Sequence, residues 1–363
     1  MSNEEHRFPC ETCGSDLRFD PGHERLICDH CGAEEQIDHG PWEQQSAIRE
    51  LDFQAALDAE LSVAETEENR TSTCQNCGAR TEFDPDVHAA ECPYCATPIV
   101  IDTGAHRQIK PRALLPFELD ESAAHDAMVE WLGSLWFAPN GLTQYARKGR
   151  KLNGVYMPCW TYDADTKSSY KGQRGTVYYV TKKVTRNGKT ETKRVQKVRW
   201  RKVSGRVARF FDDVLVLAST ALPEKFHNGL NTWDLTRLEP YQPQYLAGFR
   251  AEAYSVDIKD GFVKAREIMD RQIRRDIRFD IGGDRQRIDQ VETSVKDITF
   301  KHILTPVWIA AYRYRGESYR FVVNGQTGSA AGERPWSVWK IAFAVLAAAI
   351  VAGVVGYFYA QSQ

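Results

Sequence analysis

Apolar and polar positions alternate in three distinct ways along this chain. The most continuous pattern is Ile341 to Ala360, IAFAVLAAAIVAGVVGYFYA, twenty residues without a charge. At about 1.5 Å per residue a helix of that length is about 30 Å long, the depth of a bilayer's hydrocarbon core. A core helix of a soluble domain would show a polar face, and this segment has none. Trp336 and Trp339 precede it, and Tyr357 and Tyr359 close it, as in an interfacial aromatic belt. Arg334 and Lys340 lie before it and only Gln361-Ser362-Gln363 after it. The positive-inside rule therefore predicts a single-pass tail anchor over 341–360, with the bulk of the chain cytoplasmic and a short C-terminal tail outside. Ala349 and Gly353, like Ala352 and Gly356, sit four apart, a spacing that lets a second helix approach in a homo- or hetero-oligomer.

Helical spacing recurs in three further places. Residues 44–68 carry a thin stripe of Ile48, Leu51, Ala55 and Leu61 and read as a connecting helix. Asp120 is placed to cap a helix that turns Met128, Leu132, Leu135 and Trp136 inward, after an extended run from Ala113 to Phe117. A third helix, about 260–277, buries Phe262, Ala265, Ile268, Met269 and Ile273 and exposes Arg271, Arg274 and Arg275.

The third pattern has a period of two. TVYYVTKKVT and TETKRVQKVRWRKV flank Arg186-Asn187-Gly188-Lys189, and Asn-Gly between two β-branched runs is a strong hairpin signal. The hairpin, about 176–204, is expected to carry valines and aromatics on one face and Lys/Arg on the other. A fainter echo links Val155–Trp160 followed by Gly172-Gln-Arg-Gly175 with Leu304–Trp308 followed by Gly325-Gln-Thr-Gly328, which suggests two related strand units in one sheet. Residues 105–335 thus read as an α+β domain with a mainly antiparallel sheet.

Charge changes the picture. The net −2 conceals 23 Asp+Glu against 6 Lys+Arg in residues 1–104, a balance of −17, and 41 Lys+Arg against 26 Asp+Glu in the remainder, a balance of +15. Between Lys167 and Arg209 there are fifteen basic residues and one acid, Glu191. Lys182, Lys183, Arg186, Lys193, Arg194, Lys197, Arg199, Arg201 and Lys202 are the candidate contacts to an anionic surface. For a protein tethered to a membrane, anionic lipid headgroups are the nearest partner, at roughly 1 kcal/mol per basic residue. Nucleic acid and the chain's own acidic N-terminal region compete for the same surface, and a solvated face is the plain alternative.

Eight of the nine cysteines fall into two blocks of identical spacing. Cys10, Cys13, Cys28 and Cys31 read C-x2-C-x14-C-x2-C, and Cys74, Cys77, Cys92 and Cys95 repeat it 64 residues on. Each C-x-x-C sets two thiolates on a knuckle, and two knuckles complete a tetrahedral structural zinc site. Small residues follow the knuckles (Gly14, Gly32, Gly78, Ala96), and Phe19-Asp20-Pro21 recurs as Phe83-Asp84-Pro85 where a hairpin turn is needed. The opening MSNEEHRF has no apolar signal segment, so reduced thiols and two zinc ions are expected rather than disulfides. The organisation expected is zinc ribbon 1 over 1–40, a helical connector over 41–71 and zinc ribbon 2 over 72–104, both small and all-β. Sites closed by four protein ligands leave no position for a catalytic water. Phosphates would be repelled by such acidic ribbons, so the ribbons read as protein-interaction modules.

No P-loop, G-x-G-x-x-G, G-x-S-x-G or H-E-x-x-H motif occurs; Gly188-Lys189-Thr190 lacks its upstream glycine. Asp163/Asp165 and Asp280/Asp284 could pair on a cation, although loop carboxylates are more often caps and turns. His23, His30 and His88 could ligate only if a cysteine were lost, and Cys159 reads as a buried strand residue.

With its tandem ribbons, IKPRALLPFELD, WFAPNGL, GVYMPCWTYDA, HILTPVWIAAYRY, VNGQTG and terminal span, the chain resembles, over nearly its full length, a bacterial tandem zinc-ribbon membrane protein family. Its members are labelled TFIIB-type zinc ribbon-containing protein, or primosomal protein N′ (replication factor Y), superfamily II helicase. The resemblance implies zinc at the eight cysteines and no catalytic set; without nucleotide motifs, helicase activity does not carry over. It also implies membrane platforms that recruit SPFH-domain or phage-shock-protein-A-like partners. A membrane-anchored, non-enzymatic cytoplasmic scaffold is therefore the expected function. The alternative is a nucleic-acid-binding protein that uses the basic hairpin.

Overall fold

The computed structural model describes residues 8–37, 48–58, 61, 65–82, 89–92, 94, 98–100, 105–139, 152–186, 189–223, 226, 230, 233–314 and 317–361. In chain order the strands of the first module are β1 (Arg18–Asp20), β2 (Arg25–Ile27) and β3 (Glu34–Gln36). Next come β4 (Leu51–Asp52), α1 (Phe53–Leu57), β5 (Thr66–Thr73), β6 (Arg80–Glu82), β7 (Ala89–Glu91), β8 (Pro98–Val100), β9 (Ala105–Ile109) and β10 (Ala113–Leu114). The body continues with α2 (Glu121–Ser134), β11 (Asn153–Arg186), β12 (Lys189–Leu217), β13 (Glu239–Pro240), β14 (Arg250–Ala251) and α3 (Ile258–Ile281). It ends with β15 (Arg285–Tyr314), β16 (Glu317–Asn324), β17 (Ala330–Gly332) and α4 (Val338–Gln361).

Three very long antiparallel strands, in the order β12–β11–β15, form the backbone of the molecule. At about 3.3 Å per residue the 34 residues of β11 extend for about 110 Å. Burial along β11 changes in three steps. From Val155 to Ala164 every residue is buried, because the sheet is covered on both faces. From Asp165 to Gly172 burial alternates, since α3 covers one face only. Beyond Gly175, where β15 begins opposite at Arg285, only β11 and β12 continue, as an uncovered two-stranded arm.

α3 starts at Asp257, whose carboxylate accepts the Asp260 amide at 2.8 Å, and ends at Gly282 and Gly283 with φ of +63° and +77°. Ile258, Gly261, Ala265, Met269, Ile273, Ile277 and Ile281 face the sheet. A Cβ at Gly261 would run into Trp160 and Tyr162, so only glycine allows the helix this close. The helix is longer than expected, and its stripe is shifted: Ile268 is exposed and Ile277 and Ile281 are inward.

Two further expectations need correction. The connector helix over 44–68 is only the five-residue α1 among the described residues, and Thr66–Thr73 is a strand paired with β6 and β9. Asp120 does cap α2, accepting the Ala123 amide at 2.7 Å, but the helix stops at Ser134. Trp136 therefore falls outside the helical register and is 78% exposed instead of lying in the core.

Both cysteine modules are docked on the body. Phe19 is buried against Tyr245, with ring centroids 5.1 Å apart, and shares a core with Phe117, Tyr156 and Trp308. Cys74, Ala79, Cys92 and Tyr94 share another core with Val155, Val307, Ile309 and Val322. Tyr156 and Val155 are neighbours in β11, as Trp308 and Val307 are in β15, so the modules cover opposite faces of one sheet.

Candidate metal centres and the basic arm

Three knuckles among the described residues repeat one backbone solution. The Gly14, Gly32 and Gly78 amides donate to the carbonyls of Cys10, Cys28 and Cys74 at 2.8, 2.9 and 2.8 Å. The Cys10, Cys28 and Cys74 amides in turn donate to Ser15, Ala33 and Ala79 at 2.7, 2.8 and 2.8 Å. Each glycine has φ between +74° and +77°, which explains the small residue after each second cysteine.

The four sulfurs of Cys10, Cys13, Cys28 and Cys31 lie within 4.8 Å of one another, with Cys10–Cys31 at 3.6 Å and Cys13–Cys28 at 3.5 Å. Thiolates about 2.3 Å from a tetrahedral ion would stand about 3.8 Å apart, so the residues fit a metal of that size. The Ser15 amide draws the Cys13 thiol down to about 6, and the Cys13 and Thr12 amides lower Cys10. The Ala33 amide also pulls on Cys31, but the neighbouring sulfurs, Cys13 foremost, hold it at about 12. Four sulfurs this close cannot all ionise without a cation between them.

In the second module Cys74, Cys77 and Cys92 converge within the same limit, with Cys77–Cys92 at 3.5 Å. Cys95, Ala96 and the repeated Phe83-Asp84-Pro85 lie outside the described residues. Both clusters can thus hold a metal. His23 contacts Asp20 at 3.2 Å and is no part of the cluster, and His88 is outside the described residues.

Glu252 is a residue that no local motif announces. It is buried beneath the second module, accepting hydrogen bonds from the Tyr94 hydroxyl and from Ser219 Oγ at 2.6 Å, and burial raises it to about 7. In AEAY it looks like any solvated glutamate.

Asp163, Asp280 and Asp284 of the two suspected carboxylate pairs each accept a hydrogen bond from the protein. Asp163 is buried and turned toward Lys301, whose ammonium lies 2.7 Å from Asp213 and 3.2 Å from Glu50. Asp165, two residues on in the same strand, is exposed. Burial, then the hydrogen bond with Glu50, raises Asp163 to about 7. Asp280 accepts from Tyr170 Oη at 2.6 Å and Asp284 from the Val177 amide at 2.7 Å, so both serve as structural acceptors. Cys159 is buried as expected, and burial pushes it up to about 12.

The basic hairpin forms the uncovered arm, with Asn187-Gly188 outside the described residues. Its backbone register sets Arg174 across from Arg201, Lys182 from Lys193, and Arg186 from Lys189. The expected division into an apolar and a basic face is not observed. Tyr178 and Val180 share a face with Lys182, Lys197 and Arg199, while Lys183 and Arg194 share the other with Val177 and Tyr179. Lys202, across from Gln173, is on that second face as well. Arg194 and Arg199 stack over Tyr179 and Tyr178, at 4.3 and 5.4 Å from the ring centroids. Arg174 caps α3 instead of facing outward, its Nε donating to the Ile281 carbonyl.

At the opposite end of the sheet from the arm tip, the chain passes from β17 into α4. This helix is long and apolar enough to cross a membrane, and none of its span is buried in the protein. Its start is tied to the turn after α2 by the Ser337 amide on the Phe137 carbonyl and Lys340 Nζ on the Ala138 carbonyl, both at 2.8 Å.

The chain is 24% identical over 342 residues to the Uncharacterized protein YdjG of Bacillus subtilis strain 168, an overlap of 92% of each chain. No family model and no solved structure matches the chain.

Proposed function

We propose that this protein is a membrane-anchored cytoplasmic scaffold whose two cysteine modules are structural zinc ribbons and whose surface recruits partner proteins to the membrane. The observation that carries this reading is the docking of thiolate clusters on both faces of one sheet, at the end where the apolar helix begins. Four-thiolate sites stabilise a fold and leave no place for substrate. Glu11 and Glu35 are exposed on the first module and offer acidic contacts to a basic partner. By the family resemblance, SPFH-domain or phage-shock-protein-A-like proteins are the partners to look for.

The test is affinity purification of the full-length protein from detergent-solubilised membranes, beside a Glu11→Lys/Glu35→Lys variant that leaves the docked core intact. Two zinc ions per chain are expected in the membrane fraction, with a set of bound proteins that the double variant loses. An unchanged set would sink the docking role of the ribbons; a soluble, metal-free protein would sink the whole reading.

One observation favours a second role, nucleic-acid binding by the arm. Cross-strand like-charge pairs are unfavourable unless an anion lies against them. Cations on both faces suit a groove better than a flat membrane, since a bilayer meets one face only. Binding of duplex DNA by the full-length protein should then fall steeply with salt and weaken in an Arg194→Ala/Arg199→Ala variant. Indifference to both would exclude this role.

A further inference from the structure

The turn after α2 raises a question that metal sites and arm leave open. Leu135 and Ala138 in this turn pack inward, whereas Trp136 between them is 78% exposed. Trp336 and Trp339 are 55% and 86% exposed, and Val338 is open as well. The two segments are held together. The Ser337 and Lys340 bonds described above join them, and the Phe137 and Trp336 rings lie 6.5 Å apart. Arg334 sits over the Trp336 ring, 4.3 Å from its centroid.

We infer that the turn after α2 is a second membrane contact, with Trp136 seated at the lipid–water interface beside Trp336 and Trp339. This rests on the reading of α4 as a membrane span. A span that starts at Val338 puts Trp336 and Trp339 at headgroup level, where indole rings have an apolar body to bury and an N–H to keep wet. The turn is bonded to residues 337 and 340, so it lies at that same level. Its one large exposed side chain is an indole. An indole left in water at this point would be an unfavourable exposed apolar surface; at the interface it is satisfied. The body is thereby held against the bilayer at two points instead of swinging from one, which fixes which of its surfaces faces the cytoplasm.

Hydroxyl-radical footprinting of the full-length protein in phosphatidylcholine–phosphatidylglycerol vesicles, read residue by residue by mass spectrometry, tests this. Trp200, half-buried on the distant arm, supplies the internal reference. Trp136 is expected to oxidise more slowly than Trp200, although it is the more exposed of the two in the protein alone. Faster oxidation of Trp136 with Trp339 and Phe343 protected overturns the inference and leaves the span intact. Oxidation of all of them overturns the span as well. Brominated lipids then identify what covers Trp136: Trp136→Phe should remove part of the quenched fluorescence, and unchanged quenching means that protein, not lipid, covers the site.

Discussion

Val155 and Tyr156 are consecutive residues of one strand, and each completes the core beneath a different cysteine module: Tyr156 with that of Phe19, Val155 with that of Tyr94. The modules therefore act as two lids on a sheet whose inner faces they keep dry. Metal binding, module folding and the stability of the body become one problem, because a module that opens exposes the sheet beneath it.

Phe19→Ala tests the first lid. The ring is buried in an aromatic group with Tyr245 and Phe249, at 5.1 and 6.4 Å. Its removal should cost about 3–5 kcal/mol, as for other buried phenylalanines. Thermal unfolding of the purified protein would show the loss. The first metal should still bind in the folded variant, since no sulfur has been touched.

Cys28→Ser should lower the metal content from two ions per chain to one, measured by mass spectrometry of the acid-released metal. It should also lower the unfolding temperature of the body, not of the module alone. Chelation of the intact protein should do the same, progressively more easily at acid pH, where protons compete for the thiolates. Loss of metal without any change in the body's unfolding would contradict the lid arrangement.

The cysteine clusters and the apolar helix were legible because both rest on local rules: a fixed knuckle spacing and a length matched to a bilayer. The pairing of the two strands that flank Asn187-Gly188 was legible for the same reason. The extent of the sheet was not, since nothing in TYDADTKSSYKGQRG between Thr161 and Gly175 announces that one strand runs through it; pairing with β15 over a hundred residues away decides that. Trp136 was misplaced because helical spacing was continued two residues past the point where the helix ends. Glu252 was missed because its role depends on Tyr94, brought to it from 158 residues away.

Asp163 gives the stability a pH dependence. Its pKa is raised from 3.8 to about 7 in the folded state. Below about pH 4 both folded and unfolded forms hold the proton, and no cost arises. Between about pH 4 and 7 the unfolded chain releases the proton while the folded chain keeps it, so stability from this group falls as pH rises and levels off above 7. Glu50, held below its ordinary value chiefly by its hydrogen bonds to Asp163 and Thr299 and by Lys301, acts in the opposite sense only at more acid pH. Asp163→Asn keeps an oxygen for the Asp213 amide, now 2.7 Å from Asp163 Oδ1, and cannot ionise. The variant should be more stable than the parent at pH 8 by about 1–3 kcal/mol and equal to it near pH 4. Denaturant unfolding at the two pH values checks both halves of this expectation.

The arm offers the sharpest test of whether its charge is functional or only tolerated. Lys182 stands in register with Lys193 where β11 and β12 pair only with each other. Lys182→Glu turns a like pair into an unlike one, a gain of roughly 0.2–1 kcal/mol per pair on a two-stranded ribbon. Hydrogen exchange of the Val180 and Val195 amides should slow in the variant at low salt, and the difference from the parent should shrink as salt rises, since exposed charges are screened within about 10 Å at 0.1 M. If the like charges are kept for an anionic ligand, adding duplex DNA should slow exchange in the parent more than in the variant. The two proteins then change order: the variant has the steadier arm when free, and the parent when ligand is bound. A parent arm that stays frayed with DNA present would show that its charges serve only to keep an exposed ribbon from pairing with another chain.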